Sequence, residues 1–360
     1  MKIVTILGAR PQFIKAGSVS REIARFDQQG IKIEEVIVHT GQHYDSNMSD
    51  VFFAEMHIPK PNYNLGIGGQ SHGKMTGEMI AKIEDVLIAE KPDYVMVYGD
   101  TNSTLAGAVA ASKLGIKIAH VEAGLRSFNL HMPEELNRVM TDRVSHFLFC
   151  PTSQAIKNLE NEGVHHWTPG KMILTGDVMY DGAMYYRKLA TPPSDFPHSK
   201  GYYCLATIHR AENTDCDKKL RGVFEALERL SDAVPVVLPL HPRTRAKLQE
   251  IGFQSKNITL IDPVGYLNMI WLIENAKFVV TDSGGLQKEA YFFDKRCIVV
   301  RDETEWSELV DLGFNKLVEP NYNSIFAAYE QLSTEVKGSD GQLYGDGSAS
   351  RMIVEAMLNG

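Results

Sequence analysis

The stretch Thr281-Asp282-Ser283-Gly284-Gly285-Leu286-Gln287-Lys288-Glu289 follows the apolar run Phe278 to Val280 and joins a strand pattern to a helical one. Gly284 and Gly285 let an anion approach the backbone closely, and the N–H groups opening the next helix, at its positive dipole end, attract it. Glu289, between one and two turns into that helix, is spaced to reach a ribose diol while a diphosphate rests on the turn. A second set is acidic: Asp100 and Glu122 each close an apolar run, and Glu134 opens a helix that Pro133 introduces. Carboxylates gathered in one cleft raise one another's proton affinity, so an acid and a base coexist near neutral pH; that chemistry is proton transfer at carbon or oxygen. Two other uses stay open. Glu134 is spaced to pair with Arg138 at i,i+4, and Asp100 to cap the helix beginning near Thr101. A third set is basic: Arg10 and Lys15 at the first strand–helix junction, with His209 and Arg210 in the second half, make an anion clamp for a diphosphate.

The elements that must position these groups read as α/β. Runs at Ile3 to Leu7, Glu35 to Val38, Tyr94 to Tyr98, Ile118 to Val121 and Phe147 to Cys150 alternate with helical periodicity over Ala16 to Phe26, Gly73 to Ala89, Thr104 to Leu114 and Glu134 to His146. Val178 to Leu189 is helical, and Ala190 to Gly201, with Pro192, Pro193 and Pro197, reads as a linker. Strand runs resume at Tyr203 to Ile208, Val234 to Leu238, Ile258 to Ile261, Phe278 to Thr281 and Ile298 to Val300. The expectation is two Rossmann-like doubly wound domains facing across a cleft: residues 1–177, completed by a C-terminal helix at 347–360, then a crossover helix and linker at 178–200, and a second domain at 201–346. Ligands of such sheets bind beyond the carboxyl ends of the strands, where the three polar sets fall.

At 360 residues the chain exceeds what one core holds, in keeping with two domains. A net charge of −8 without any Lys/Arg block argues against nucleic acid or an anionic membrane as partner. No apolar run approaches the roughly 18 residues of a membrane span, and Met1 to Val4 enters a strand pattern directly, so a cytosolic protein is expected. Cys150, Cys204, Cys216 and Cys297 show no CxxC spacing and read as reduced thiols, three of them in or beside apolar runs. His43, His120, His131 and His241 form no HxH or HExxH pattern, and no GxGxxG follows the first strand; neither a metal nor a dinucleotide cofactor is expected.

Taken together, Gly8-Ala9-Arg10-Pro11, Gly99-Asp100-Thr101, Val121 to Arg126, Pro133-Glu134-Glu135, His209-Arg210 and Thr281 to Gly285 resemble the motifs of the non-hydrolysing UDP-N-acetylglucosamine 2-epimerases, which share the two-domain architecture of GT-B glycosyltransferases. The resemblance runs from Lys2 to Tyr344-Gly345-Asp346-Gly347. It implies a UDP-sugar substrate, no cofactor, and Asp100, Glu122 and Glu134 as the acid/base set, with His209 supporting the departing diphosphate. It assigns Ser283, Gly284 and Gly285 to phosphate and Glu289 to ribose, and places Arg10 and Lys15 in the same cleft. Arg138, Arg210, Tyr266 and Met269 complete the expected substrate contacts, and a homodimer is expected. The route it implies begins with loss of UDP from C1, which acidifies C2–H; a carboxylate takes that proton, and reprotonation from the other face with return of UDP inverts C2.

Some positions depart from the common pattern. Gln12 stands where the usual enzymes carry Glu, Ala211 where they often have Arg, and Trp306 where they have Arg; Gln42-His43-Tyr44-Asp45 and Gly68-Gly69-Gln70 differ from the effector-binding region of regulated members. This set is similar to the branch acting on UDP-2,3-diacetamido-2,3-dideoxy-glucuronate in O-antigen or capsule synthesis. A neutral Gln12 near the sugar removes a charge that would repel a C6 carboxylate, with Arg126 or Arg138 as spare positive charge for it. A GT-B glycosyltransferase would use the same UDP site but needs one base rather than three carboxylates, and a catalytically silent UDP-sugar sensor needs none of them.

Overall fold

The structure, a computed structural model, describes residues 1–360 apart from 43–49, 167–169, 195, 198–201 and 335–342, and omits the side chains of 50–52 and 333–334. His43, Tyr44, Asp45 and most of the linker's C-terminal end therefore lie outside the described residues. The chain forms two compact units, 1–184 with 341–360, and 185–340.

In chain order the elements of the first unit are β1 (Lys2–Leu7), α1 (Arg10–Gln28), β2 (Glu34–His39), α2 (Asp50–Glu55), β3 (Tyr63–Asn64), α3 (His72–Glu90), β4 (Tyr94–Tyr98), α4 (Asn102–Lys113), β5 (Lys117–Val121), α5 (Pro133–Val144), β6 (Phe147–Cys150), α6 (Ser153–Asn161) and β7 (Lys171–Leu174), with α7 (Val178–Arg187) after them. The second unit holds β8 (Cys204–Thr207), α8 (Ala211–Thr214), α9 (Asp217–Leu230), β9 (Val236–Pro239), α10 (Pro242–Glu250), β10 (Thr259–Ile261), α11 (Tyr266–Asn275), β11 (Phe278–Thr281), α12 (Gly284–Phe292), β12 (Cys297–Val299), α13 (Ser307–Asp311), β13 (Asn315–Leu317) and α14 (Tyr322–Thr334), and α15 (Ala349–Leu358) returns to pack on α1.

Both sheets are parallel throughout. Their orders are β3-β2-β1-β4-β5-β6-β7 and β10-β9-β8-β11-β12-β13, so each is doubly wound, as expected, with its topological switch between β1 and β4 or between β8 and β11. Three strands carried no recognisable signal, β3, β7 and β13, and each is an outer strand of its sheet. Edge strands are short and bury little, which leaves no apolar run; β7 has no fully buried residue.

Valines and isoleucines of β1, β2 and β4, among them Val4, Ile6, Val38 and Val97, pack against Met79 and Ile83 of α3 and the alanines of α4. Gly107 lets α4 lie directly on this layer, since a Cβ there would stand 3.0 Å from Val97 and 3.1 Å from Ile6. The N-terminus of α4, capped by the Thr101 hydroxyl, thereby reaches Gly8, where an added Cβ would fall 1.9 Å from the Ser103 Oγ. In the second unit Phe224 and Leu227 of α9 close over Ala206, Val236, Leu238 and Val280.

Helix α5 inverts the usual pattern. Its buried residues are Glu135, Asn137, Arg138, Thr141 and Asp142, whereas Leu136 and Met140 are exposed. A buried polar stripe must be hydrogen-bonded to be tolerated. Glu135 accepts from the Ser127 and Phe128 N–H groups, both at 2.9 Å, and from Arg138 at 2.9 Å. Burial works to raise its pKa, and Ser127, Arg138 and Phe128 together outweigh that, leaving the carboxyl below its ordinary range. A depressed folded value means that the stabilisation is complete above the unfolded carboxylate pKa of about 4.3 and is withdrawn as the pH falls through the folded value. In urea unfolding at pH 7, Glu135→Gln is expected to be less stable than the parent by about 1 to 3 kcal/mol, with the gap narrowing below about pH 4; a gap unchanged at low pH would exclude the charged role.

Candidate active site

Both chemical sets stand at the switch point of their own sheet. In the first unit Arg10 and Lys15 lie on α1 directly after β1, Asp100 follows β4, and Glu122 follows β5. Lys15 forms an ion pair with Glu122, and Arg138 donates to Asp100 at 2.5 Å. Each of the two carboxylates thus faces a cation. Glu122 is buried and sits at φ 74°, a left-handed conformation that costs a non-glycine residue energy. Its neighbour in space, Gly99 (φ 63°), takes a left-handed conformation that other residues adopt only with strain, and a Cβ there would stand 3.3 Å from the Glu122 Oε2 and 3.5 Å from the Lys15 Nζ.

Beneath them runs a network whose His120, Asp142 and Arg126 are buried and whose outer end, Glu162, is partly exposed. His120, on β5, has Nε2 2.8 Å from the Gly99 carbonyl and Nδ1 2.7 Å from Asp142 of α5. Asp142 also accepts from the Gly124 N–H at 3.2 Å and pairs with Arg126 at 2.8 Å, and Arg126 reaches Glu162 at 2.6 Å. Burial works to raise the Asp142 pKa; His120 and Arg126 outweigh it and hold the carboxyl low.

In the second unit Asp282, at the end of β11, is completely buried and accepts from the His209 N–H at 3.1 Å, the Arg210 N–H at 3.0 Å and the Asn213 amide at 3.1 Å. It thereby fixes the loop after β8 against the turn that opens α12. Burial lowers the His209 pKa; Asp282 opposes this, while the nearby His241 and Arg210 add to it. Ser283 is the N-cap of α12, its hydroxyl accepting from the Leu286 N–H. A Cβ on Gly284 would lie 2.2 Å from Glu305, which pairs with Arg301 at 2.8 Å, whereas Gly285 has open space around it. Glu289 is buried and accepts from the Tyr266 hydroxyl at 2.9 Å; Met269, half-buried, sits on the same helix as Tyr266.

The sequence-derived sites meet this geometry unevenly. Glu134 is exposed and makes no ion pair among the described residues; Arg138 pairs with Glu135 and Asp100 instead. Thr101, not Asp100, caps α4. Four residues behind the expected specificity, Gln12, Arg126, Arg138 and Trp306, are occupied by structural contacts. Gln12 is buried and fully committed, accepting from the Gly8 and Ala9 N–H groups at 2.8 and 3.0 Å and donating to the Tyr98 carbonyl at 2.7 Å and Thr104 at 3.0 Å. Arg126 and Arg138 are likewise held in buried ion pairs and are not spare charges. Trp306 braces the turn that opens α12: its indole N–H donates to the Gly284 carbonyl at 3.0 Å, and the Lys288 ammonium lies 4.4 Å from its ring. Gln42 accepts from the Ser103 N–H and hydroxyl at 3.0 and 2.7 Å. Apart from the Glu135–Arg138 pair within α5, the partners of Glu135, Asp142, His120 and Asp282 carry no spacing signal in the sequence, since each contact joins residues from different elements; Asp282, at a strand end, stands where a site residue is to be sought.

Cys150, Cys204 and Cys297 are buried free thiols and Cys216 is exposed. No described helix is long and apolar enough to cross a membrane.

The family model described as UDP-N-acetylglucosamine 2-epimerase matches residues 25–358. A UDP-2,3-diacetamido-2,3-dideoxy-D-glucuronate 2-epimerase of Pseudomonas aeruginosa is 54% identical over 99% of both chains, and a UDP-N-acetylglucosamine 2-epimerase homolog of Methanococcus maripaludis is 50% identical over the whole of both. The crystal structure of Methanocaldococcus jannaschii UDP-GlcNAc 2-epimerase in complex with UDP-GlcNAc and UDP superposes with a TM-score of 0.86 at 39% identity, covering all of both chains. The enzyme from Neisseria meningitidis bound to UDP-GlcNAc does so with a TM-score of 0.87 at 32% identity, again over all of both chains. With the family model spanning nearly the whole sequence and both sheets carrying their polar sets at the switch points, the chain belongs to the UDP-N-acetylglucosamine 2-epimerase family, whose members are isomerases of UDP-sugars.

Proposed function

We propose that this protein inverts C2 of UDP-2,3-diacetamido-2,3-dideoxy-glucuronate, gluco to manno, by elimination and re-addition of UDP. The observation that carries the mechanism is the pairing of two carboxylates with two cations beyond adjacent strands, Glu122 with Lys15 and Asp100 with Arg138. The choice of sugar rests on kinship with the Pseudomonas aeruginosa protein; the uncharged Gln12 no longer supports it, since its side chain is spent on the α1 turn.

C2 of such a sugar has no carbonyl beside it, so deprotonation needs the leaving group. As the C1–O bond to the diphosphate breaks, its electron pair leaves on UDP and positive charge develops at C1. A carboxylate takes the C2 proton, and those electrons form the C1–C2 double bond of a 2-acetamidoglucal. A proton delivered to the other face of C2, with a UDP oxygen returning to C1, gives the inverted product. Contact with Lys15 and Arg138 fixes these carboxylates in place, which suits proton transfer by pre-organised groups. Leaving UDP gains charge, and Arg10, His209, Arg210 and the α12 N-terminus with Ser283, Gly284 and Gly285 are the groups assigned to stabilise it. Glu289, oriented by Tyr266, takes the ribose diol. Glu134 remains in the acid/base set by this reading, reached from solvent rather than from the buried network.

Incubation with UDP-2,3-diacetamido-glucuronate in D2O is expected to place deuterium at C2 as the epimer appears, with a higher kcat/KM than for UDP-N-acetylglucosamine. Epimer that keeps all its protium rejects the proton-abstraction route, and equal or better turnover of UDP-N-acetylglucosamine assigns the chain to that substrate instead. Calorimetric UDP binding should weaken by about 1 to 3 kcal/mol in Glu289→Ala, the worth of a hydrogen bond to a charged group; unchanged affinity removes Glu289 from the ribose role.

A further inference from the structure

His120 is completely buried and takes no part in the chemistry above, yet both of its ring nitrogens are engaged. One faces the Asp142 carboxylate at 2.7 Å and the other the Gly99 carbonyl at 2.8 Å. Both partners are acceptors. A neutral imidazole has a single N–H, and would set a bare lone pair against one of those oxygens at hydrogen-bond distance, a repulsive contact in a site without solvent. With a proton on each nitrogen, both contacts become hydrogen bonds, and the buried charges of His120 and Arg126 face buried Asp142 and the partly exposed Glu162.

The Gly99 carbonyl belongs to the residue immediately before Asp100, and Asp142 also receives the N–H of Gly124, two residues past Glu122. The backbone at Gly99, Glu122 and Gly124 is left-handed, with φ values of 63°, 74° and 80°. Glycine takes this conformation freely, but at Glu122 it costs energy and persists only where the surroundings over-determine it. Resting on the epimerase reading, we propose that His120, doubly protonated, is a positioning residue: it clamps the turn before Asp100 to the turn after Glu122 through Asp142, and so sets the separation of the two carboxylates. Substrate binding through the second unit's groups does not depend on it; the alignment of the proton-transfer groups does.

Nitrogen-15 NMR of the unmodified protein, labelled at histidine, tests the ring directly. The expected spectrum at pH 7 holds one histidine with both nitrogens protonated and its protons protected from solvent exchange; a single protonated nitrogen on His120, identified by its loss in His120→Gln, overturns the proposal. The activity arm uses UDP-2,3-diacetamido-glucuronate and UDP-N-acetylglucosamine. His120→Gln is expected to lower kcat by about a hundredfold, the cost of a misplacement near 1 Å, with KM and UDP affinity changed by less than about threefold. A kcat within about threefold of the parent, or a loss confined to KM, overturns the positioning role. Should that variant fail to fold, the spectrum decides, with His120 assigned by its coupling across the hydrogen bonds. If the unmodified protein turns over neither sugar, the functional reading fails and the ring spectrum still stands as the test of the clamp.

Discussion

A carboxylate removed from water has to be matched by donors, and in each unit one such group organises the site. In the first unit it is Asp142, which meets His120, Arg126 and the Gly124 N–H at once. Its burial alone would favour the neutral form; two facing cations reverse that and keep it ionised. Because its partners come from β5 and the following loop while Asp142 itself stands on α5, one group ties three segments together. The left-handed turn at Glu122 is sustained by these contacts.

Asp282 does the corresponding work in the second unit. Its oxygens gather the N–H groups of His209 and Arg210 and the Asn213 amide, tying the loop after β8 to the turn after β11. The two strands are neighbours in the sheet. This is where a doubly wound sheet parts its connections and leaves backbone N–H groups without helix partners. A buried acid at that point answers the loop's donors while the exposed start of α12 stays available to an anion. Trp306 and Lys288 hold the far side of the same turn.

Specificity in this chain is less local than single substitutions imply. Gln12 differs from the common pattern, but its amide is shared among the Gly8, Ala9, Tyr98 and Thr104 groups, so its neutrality serves the α1 turn. A glutamate in that place would set a carboxylate against the Tyr98 carbonyl and lose both amide donors. The arginines that looked available for a uronate are likewise committed. Likeness to the diacetamido-uronate epimerase of Pseudomonas aeruginosa is instead spread over the whole chain, at 54% identity.

Alternation of apolar runs with amphipathic segments was enough to determine two parallel, doubly wound sheets, because central strands of such sheets are buried on both faces and must be apolar throughout. It also placed Arg10, Lys15, Asp100, Glu122, His209 and the Ser283–Gly285 turn at strand ends, since topology puts ligands there. Edge strands β3, β7 and β13 were lost for the converse reason, being short and half-exposed. What only the tertiary structure decided is partnership. That Lys15 meets Glu122, that Arg138 chooses Asp100 and Glu135 over Glu134, and that Tyr266 orients Glu289 are contacts between residues 3 to 107 positions apart. Burial singled out Glu135 beside its exposed neighbour Glu134, and gave His120, Asp142 and Asp282 their roles. The physical reason is that the worth of a charge is set by its distance from water and from other charges, and a linear sequence records neither.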